Sequence, residues 1–127
     1  MSRGFLIFVL LSAGVFYGWD RGVTNDGIGS FIVSRPPIRG ADRVLFTLAG
    51  FHELWNQDQK ALLNYQRLIR LYPNSRHADS AYYGVASSYE RLHQRAKALD
   101  AYKTYLKKFP QGRFSRSVSA NIGYLGG

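Results

Sequence analysis

The chain has 127 residues, a length that allows one domain built around a single small core. Hydrophobic residues make up 46% and aromatic residues 15%, enough to form that core and to exclude disorder along the whole chain. Cysteine is absent, which removes disulfides, thiolate metal sites and cysteine nucleophiles; 17 Lys and Arg against 8 Asp and Glu give a formal charge of +9, which favours anionic surfaces without specifying a chemistry.

Residues 4–19 (GFLIFVLLSAGVFYGW) carry no charge and lie between Arg3 and the pair Asp20 and Arg21. As a helix rising about 1.5 Å per residue this segment spans roughly 24 Å, a little less than the roughly 30 Å hydrocarbon layer of a bilayer, with Arg3 and Trp19 at the two interfaces. Residues 1–19 are therefore expected to be an N-terminal membrane anchor. A cleaved signal peptide is the rival reading, because residues 5–11 form a short apolar run followed by the small residues Ser12, Ala13 and Gly14. Either reading delivers the rest of the chain across a membrane. Position 14 is Gly and has no thiol to acylate, so a lipid anchor at this site is excluded. Gly14 and Gly18, four residues apart, put two missing side chains on one helix face, where another transmembrane helix can approach closely.

Residues 20–40 are rich in Gly, contain the pair Pro36 and Pro37 and the turn signal Asn25-Asp26-Gly27, and show no helical period. They read as a linker, in which Phe31, Ile32 and Val33 form a short apolar strip.

From Leu45 onward the sequence repeats with an offset of 37 residues. Leu45 pairs with Tyr82, Leu48 with Val85, Ala49 with Ala86, His52 with Tyr89, Ala61 with Ala98, Leu62 with Leu99, Tyr65 with Tyr102, Tyr72 with Phe109 and Pro73 with Pro110. Within each unit the apolar residues recur every three and four positions, as in Leu45, Leu48, Ala49, His52 and Trp55, then Ala61, Leu62, Tyr65, Leu68, Ile69 and Tyr72. That period predicts helices with one buried face. Two helices of about fifteen residues, closed by Pro73 or Pro110, form an antiparallel hairpin. The turn inside each hairpin falls at Asn56 and at His93, residue types that tolerate the left-handed conformation ending a helix. Ser75 is placed to cap the next helix.

This pattern resembles the tetratricopeptide repeat, W-x2-L-G-x2-Y, then A-x3-F, then P. The first unit reads Leu45-x2-Leu48-Ala49-x2-His52, Ala61-x3-Tyr65, Pro73, and the second Tyr82-x2-Val85-Ala86-x2-Tyr89, Ala98-x3-Tyr102, Pro110. The expected fold is all-α: a solenoid of two helical hairpins (residues 41–75 and 76–112) plus a half-repeat helix (residues 113–127), preceded by the apolar N-terminal helix. The tract YPNSRHADSAYYGVASSY, with its spacing above the usual one, looks more specifically like the bacterial envelope branch of the family, the Tol-Pal-associated and outer-membrane assembly proteins. That resemblance implies an extracytoplasmic scaffold that binds proteins and is not an enzyme.

In the family the first helix of each hairpin lines a concave groove. The matching positions here include Phe46 and Glu53, then Tyr83, Ser87, Glu90 and Arg91, with Tyr124 from the third unit. Phe46, Tyr83 and Tyr124 are aromatic anchors for a partner, and Glu90 and Arg91 supply polar selectivity; alternatively Phe46 and Tyr83 pack against the linker or a neighbouring helix. Positive charge gathers toward the C-terminus in Arg95, Lys97, Lys103, Lys107, Lys108, Arg113 and Arg116, while Asp100 is the sole acid after Arg91. Near an anionic bilayer each such side chain contributes about 1 kcal/mol, so this basic set either holds the domain on lipid headgroups or an acidic subunit, or is a solvated helix face.

His52, His77 and His93 have no acid or cysteine at a ligand or triad spacing, which leaves no metal site, no cofactor and no small-molecule substrate to expect. The tyrosines fall at core spacings and do not interleave with the basic residues, so nucleic acid is not an expected partner. Repeat arrays need about three units to cover their apolar faces. Two and a half units, with Val118, Ile122 and Leu125 along one side of the last helix, lead to the expectation that one end of the stack, or both, is covered by the linker or by another protein. The expected role is a non-catalytic, membrane-anchored accessory subunit docked on a larger membrane or envelope complex; the alternative is a free periplasmic adaptor that recruits a peptide or protein.

Overall fold

The three- and four-residue apolar spacing of each unit produces helices whose starts keep the repeat offset. The computed structural model describes residues 38–127, and every regular element among them is an α-helix. These are α1 (Ala41–Leu54), α2 (Asp58–Leu71), α3 (Ala78–Arg91), α4 (Arg95–Lys108) and α5 (Ser115–Gly126). The expected anchor with Gly14 and Gly18, residues 20–37 of the linker and the strip Phe31, Ile32 and Val33 lie outside the described residues. No helix among the described residues is long and apolar enough to cross a membrane.

The hairpin turns follow from their left-handed residues. Asn56 has φ 54° and His93 has φ 58°. At each, the chain doubles back so that two backbone N–H groups reach carbonyls near the helix end. Asn56 N–H donates to Glu53 O at 3.0 Å and Gln57 N–H to His52 O at 2.8 Å; His93 N–H donates to Glu90 O and Gln94 N–H to Tyr89 O, both at 2.9 Å. This is the Schellman arrangement, formed twice without glycine. The reversal begins at Trp55, which periodicity puts on the buried face of α1. Trp55 instead occupies the cap of α1, off the helical face, and is 59% exposed.

Each helix packs chiefly against its neighbours in the chain, α1 on α2, α2 on α3, α3 on α4 and α4 on α5, as stacked hairpins require. Ala49 with Ala61, and Ala86 with Ala98, are fully buried, so small residues occupy the close crossing inside both hairpins. Between hairpins α2 and α3 come close together at Gly84, where a Cβ would lie 2.5 Å from Tyr65 Cε2. Only a residue without a side chain lets α3 lie on the Tyr65 ring.

One expectation needs correction. Ser75 does not cap α3 from its N-cap position: the helix starts at Ala78, with His77 at the N-cap. The Ser75 hydroxyl accepts the His77 N–H at 3.0 Å and donates to Asp42 Oδ2 at 2.5 Å, tying the loop after α2 back to the first turn of α1. The apolar side of the half-repeat helix is covered by α4. Val118 and Leu125 are buried and Ile122 half-buried in the cluster that α4 forms with Tyr102 and Tyr105, while Arg116, Ser117, Ser119, Ala120 and Gly123 face outward. The apolar residues of α5 thus share the face packed on α4 and its polar and small residues the other.

Candidate functional site

Phe46 and Tyr83 hold equivalent positions on α1 and α3, and each lies against the ring that precedes the next odd-numbered helix. Phe46 stacks on His77 at 4.8 Å between centroids with 17° between planes; Tyr83 stacks on Phe114 at 4.3 Å and 12°. Both rings are half-buried, so they build the wall between successive repeats. Tyr124 is different and stands 80% exposed.

Around these rings lie two adjoining depressions. One, of about 340 Å³, is lined by Phe46, Glu53, Tyr65, Tyr83, Ser87 and Arg113 among others. The second, of about 670 Å³, is lined by Tyr83, Ser87, Glu90, Arg91, Asn121 and Tyr124 with residues at the start of α4. They share Tyr83, Ser87 and Arg91 and so form one groove along α1, α3 and α5. Phe46, Glu53, Tyr83, Ser87, Glu90, Arg91 and Tyr124 line it, whereas Arg43, Gly50, Leu54, Ser117 and Ala120, which the repeat pattern also puts on the groove side, do not.

Acid, base and phenol alternate along its floor. The Arg91 guanidinium bridges the two hairpins, donating to Glu53 Oε1 at 2.6 Å and to Asp58 Oδ1 at 2.5 Å. Burial disfavours its charge, and the hydrogen bonds it donates to Asp58 and Glu53 outweigh that, so its pKa sits above the ordinary guanidinium value. Glu90 accepts the Tyr102 hydroxyl at 2.7 Å. The equivalent pair one repeat earlier is Glu53 and Tyr65. Burial first, and the neighbouring carboxylate second, push both phenols well above the usual tyrosine range, so they stay protonated donors. Neither phenol was a site candidate from sequence. The signal was nonetheless present: the repeat pattern has Phe at this position, and Tyr in both units adds a hydroxyl that needs a partner. Asp58, also missed, carries no such mark, whereas Asn121 is one of the positions that the repeat pattern puts on the groove, and it lines it.

The seven basic residues do not converge. Arg95 lines one end of the groove and donates from Nε to Leu125 O at 2.7 Å; Arg113 lines the other end, 6.0 Å from the Phe114 ring. Lys97 and Lys108 stand over the rings of Tyr89 and Tyr82, at 5.8 and 5.4 Å, beside a separate crevice. Lys103, Lys107 and Arg116 are exposed. The cause is helical: residues two, six and ten apart on α4 point in different directions.

The three histidines have packing partners or turn positions. His52 is buried with Nδ1 2.8 Å from Gln57 Oε1, His77 stacks on Phe46, and His93 forms the left-handed turn. Among the described residues no group of three or more His, Asp and Glu is placed to hold a metal ion.

Comparison with known proteins agrees with the helical stacking. The family model for the tetratricopeptide repeat matches residues 43–75 and 80–112. No curated protein matches the chain. Repeats of this type are protein-interaction scaffolds and typically have no catalytic role, and the two matched units together span more than half of the sequence. The chain belongs to the tetratricopeptide repeat family.

Proposed function

We propose that the protein is a membrane-anchored, non-catalytic scaffold that docks as an accessory subunit on a larger membrane or envelope complex, holding a segment of a partner protein in the groove of α1, α3 and α5. The observation that carries this reading is the groove itself: a continuous surface in which exposed Tyr124 adjoins Ser87, Glu90 and Arg91, with Tyr83 held by stacking on Phe114. A rigid aromatic wall costs little side-chain entropy when a partner binds, and the fixed acid and base positions give the partner a register. The uncharged residues 4–19 support anchoring, and the tract from Tyr72 to Tyr89 supports an envelope setting by its likeness to envelope repeat proteins. Val44, Leu54 and Leu63 are exposed on the first hairpin, 43%, 81% and 40% respectively, and support a further protein contact there.

The test uses the full chain extracted from membranes in mild detergent. Proteins retained by the wild type are compared with those retained by Ser87→Arg and Tyr124→Ala, two changes at side chains that stabilise no core. Loss of the same retained partner from both variants is expected; a partner kept equally by both would overturn groove binding. An intact mass on the same material decides between the anchored form and the free periplasmic adaptor, since signal cleavage removes the N-terminal segment.

A further inference from the structure

Position by position, the second repeat is less sealed than the first. Leu45 and His52 of α1 are fully buried, whereas their equivalents on α3, Tyr82 and Tyr89, are only half-buried. What exposes them is a crevice of about 340 Å³ between α2 and α4, on residues that take no part in the groove described above. Its floor is Tyr82, Val85 and Tyr89 of α3, with Ile69 on the α2 side and Ala101 on the α4 side. Ala101 is the equivalent of Asn64, so the second repeat has a methyl group where the first has a full amide side chain. A longer side chain at Ala101 would project into the crevice that it lines.

The rim is polar and biased to positive charge. Arg70, Lys97 and Asp100 line it, and Lys108 stands over the Tyr82 ring that forms one end of the floor. Among the described residues Arg70, Lys97 and Lys108 form no ion pair, since the ion pairs there are those of Arg91. Gln66 Nε2 donates to the Tyr89 hydroxyl at 3.1 Å, which fixes that ring as part of the floor.

We infer that this crevice is a second docking site, for one large apolar side chain carried on an acidic segment of a partner protein. The apolar floor accepts the side chain, and an aromatic residue buries about 150–250 Å² in such a setting. The three cations meet carboxylates on either side of it, and their freedom from internal ion pairs means that no existing pair is broken. An acyl chain fits less well, because an open crevice of this size leaves most of a lipid tail in water. The site differs from the groove in location and residues, and does not depend on what the groove binds.

The test is fluorescence anisotropy with the full-length protein in non-ionic detergent. The probes are short fluorescein-labelled peptides with a central Phe or Ala between glutamates, and a Phe peptide with lysines in place of the glutamates. Saturable binding of the acidic Phe peptide is expected, weakened about tenfold or more by Phe→Ala in the peptide and by lysine flanks. Ala101→Leu, which fills the crevice, and the double variant Arg70→Glu with Lys97→Glu are each expected to weaken it about tenfold as well, with thermal unfolding near that of the wild type. Ser87→Arg in the groove should leave it unchanged. The inference is overturned if no peptide binds, if the Ala and Phe peptides bind alike, if the folded crevice variants bind like the wild type, if Ser87→Arg abolishes binding, or if anionic phosphatidylglycerol vesicles bind the wild type and both crevice variants equally while the peptide does not bind.

Discussion

The Tyr105 hydroxyl occupies the space that a side chain at position 112 would take. A Cβ on Gly112 would collide with that hydroxyl and come within 2.8 Å of Phe109 Cβ. One repeat earlier the same two positions are Leu68 and Ser75, and the same task is done differently. There Ser75 donates to Asp42; here Tyr105 donates to Asp79 Oδ1 at 2.5 Å and also accepts the Phe114 N–H at 3.0 Å. In both repeats an acid in the first turn of the hairpin's first helix fastens the loop that leaves the hairpin, and only the donor has moved.

That exchange makes a double substitution informative. Gly112→Ser alone overpacks the site and should cost about 1–3 kcal/mol, and Tyr105→Leu alone should cost about 2 kcal/mol through the lost bonds to Asp79 and Phe114. Together they recreate the arrangement of the first repeat, so the double variant should be more stable than the sum implies by at least about 1 kcal/mol. Urea unfolding of the four proteins checks this. Strict additivity would contradict it.

Gln57 and Gln94 hold equivalent places after the hairpin turns, yet only one is satisfied. Gln57 Oε1 lies 2.8 Å from His52 Nδ1, whereas Tyr89 replaces His52 in the second repeat and turns its hydroxyl to Gln66, leaving the buried Gln94 Oε1 without a partner. Gln94→Met should therefore raise stability by about 1 kcal/mol, and Gln57→Met should lower it by a similar amount. Thermal unfolding of the two variants gives the opposite signs if the geometry is right.

Arg91 joins the hairpins through Glu53 and Asp58, but its side chain is 39% exposed, so each pair is weak in water. Arg91→Met is expected to cost only about 1 kcal/mol, with most of the difference removed by high salt. Unfolding midpoints at low and high salt test it; a large loss that salt does not alter would show a buried role instead.

The pH dependence has a definite sign at each end. Burial, before any other cause, raises the pKa of Tyr65, Tyr102 and Tyr105. A folded value above the unfolded value of about 10 means that their contribution is complete below that pH and is lost as pH rises toward the folded values. Alkaline unfolding should thus coincide with the appearance of phenolate absorbance from these three groups. At the acid end Asp42 is lowered, chiefly by the Ser75 hydroxyl, so its contribution is present above about pH 4 and disappears as pH falls below it. Ser75→Ala should flatten that acid limb.

The stacked hairpins were legible because an offset of 37 residues carries the core, the turns and the closing prolines at once. Asn56 and His93 announce their left-handed turns by type, and the groove positions follow once the register is set. The fastening of Asp79 was not legible, because Gly112 where Ser75 is expected reads as a lost contact until Tyr105 is seen to fill the space. Val118, Ile122 and Leu125 show an apolar face in sequence, but not that α4 covers it. The crevice beside Ala101 depends on an absence of volume between two helices, which no single residue encodes.

Photocrosslinking from single positions in the protein tests the scaffold reading most directly. With benzoylphenylalanine placed in turn at Ser87, at Tyr124 and at exposed Gln59 outside the groove, the two groove positions should crosslink to one common partner and Gln59 should not. Crosslinks to that partner from Gln59 alone, or none from either groove position, would contradict it.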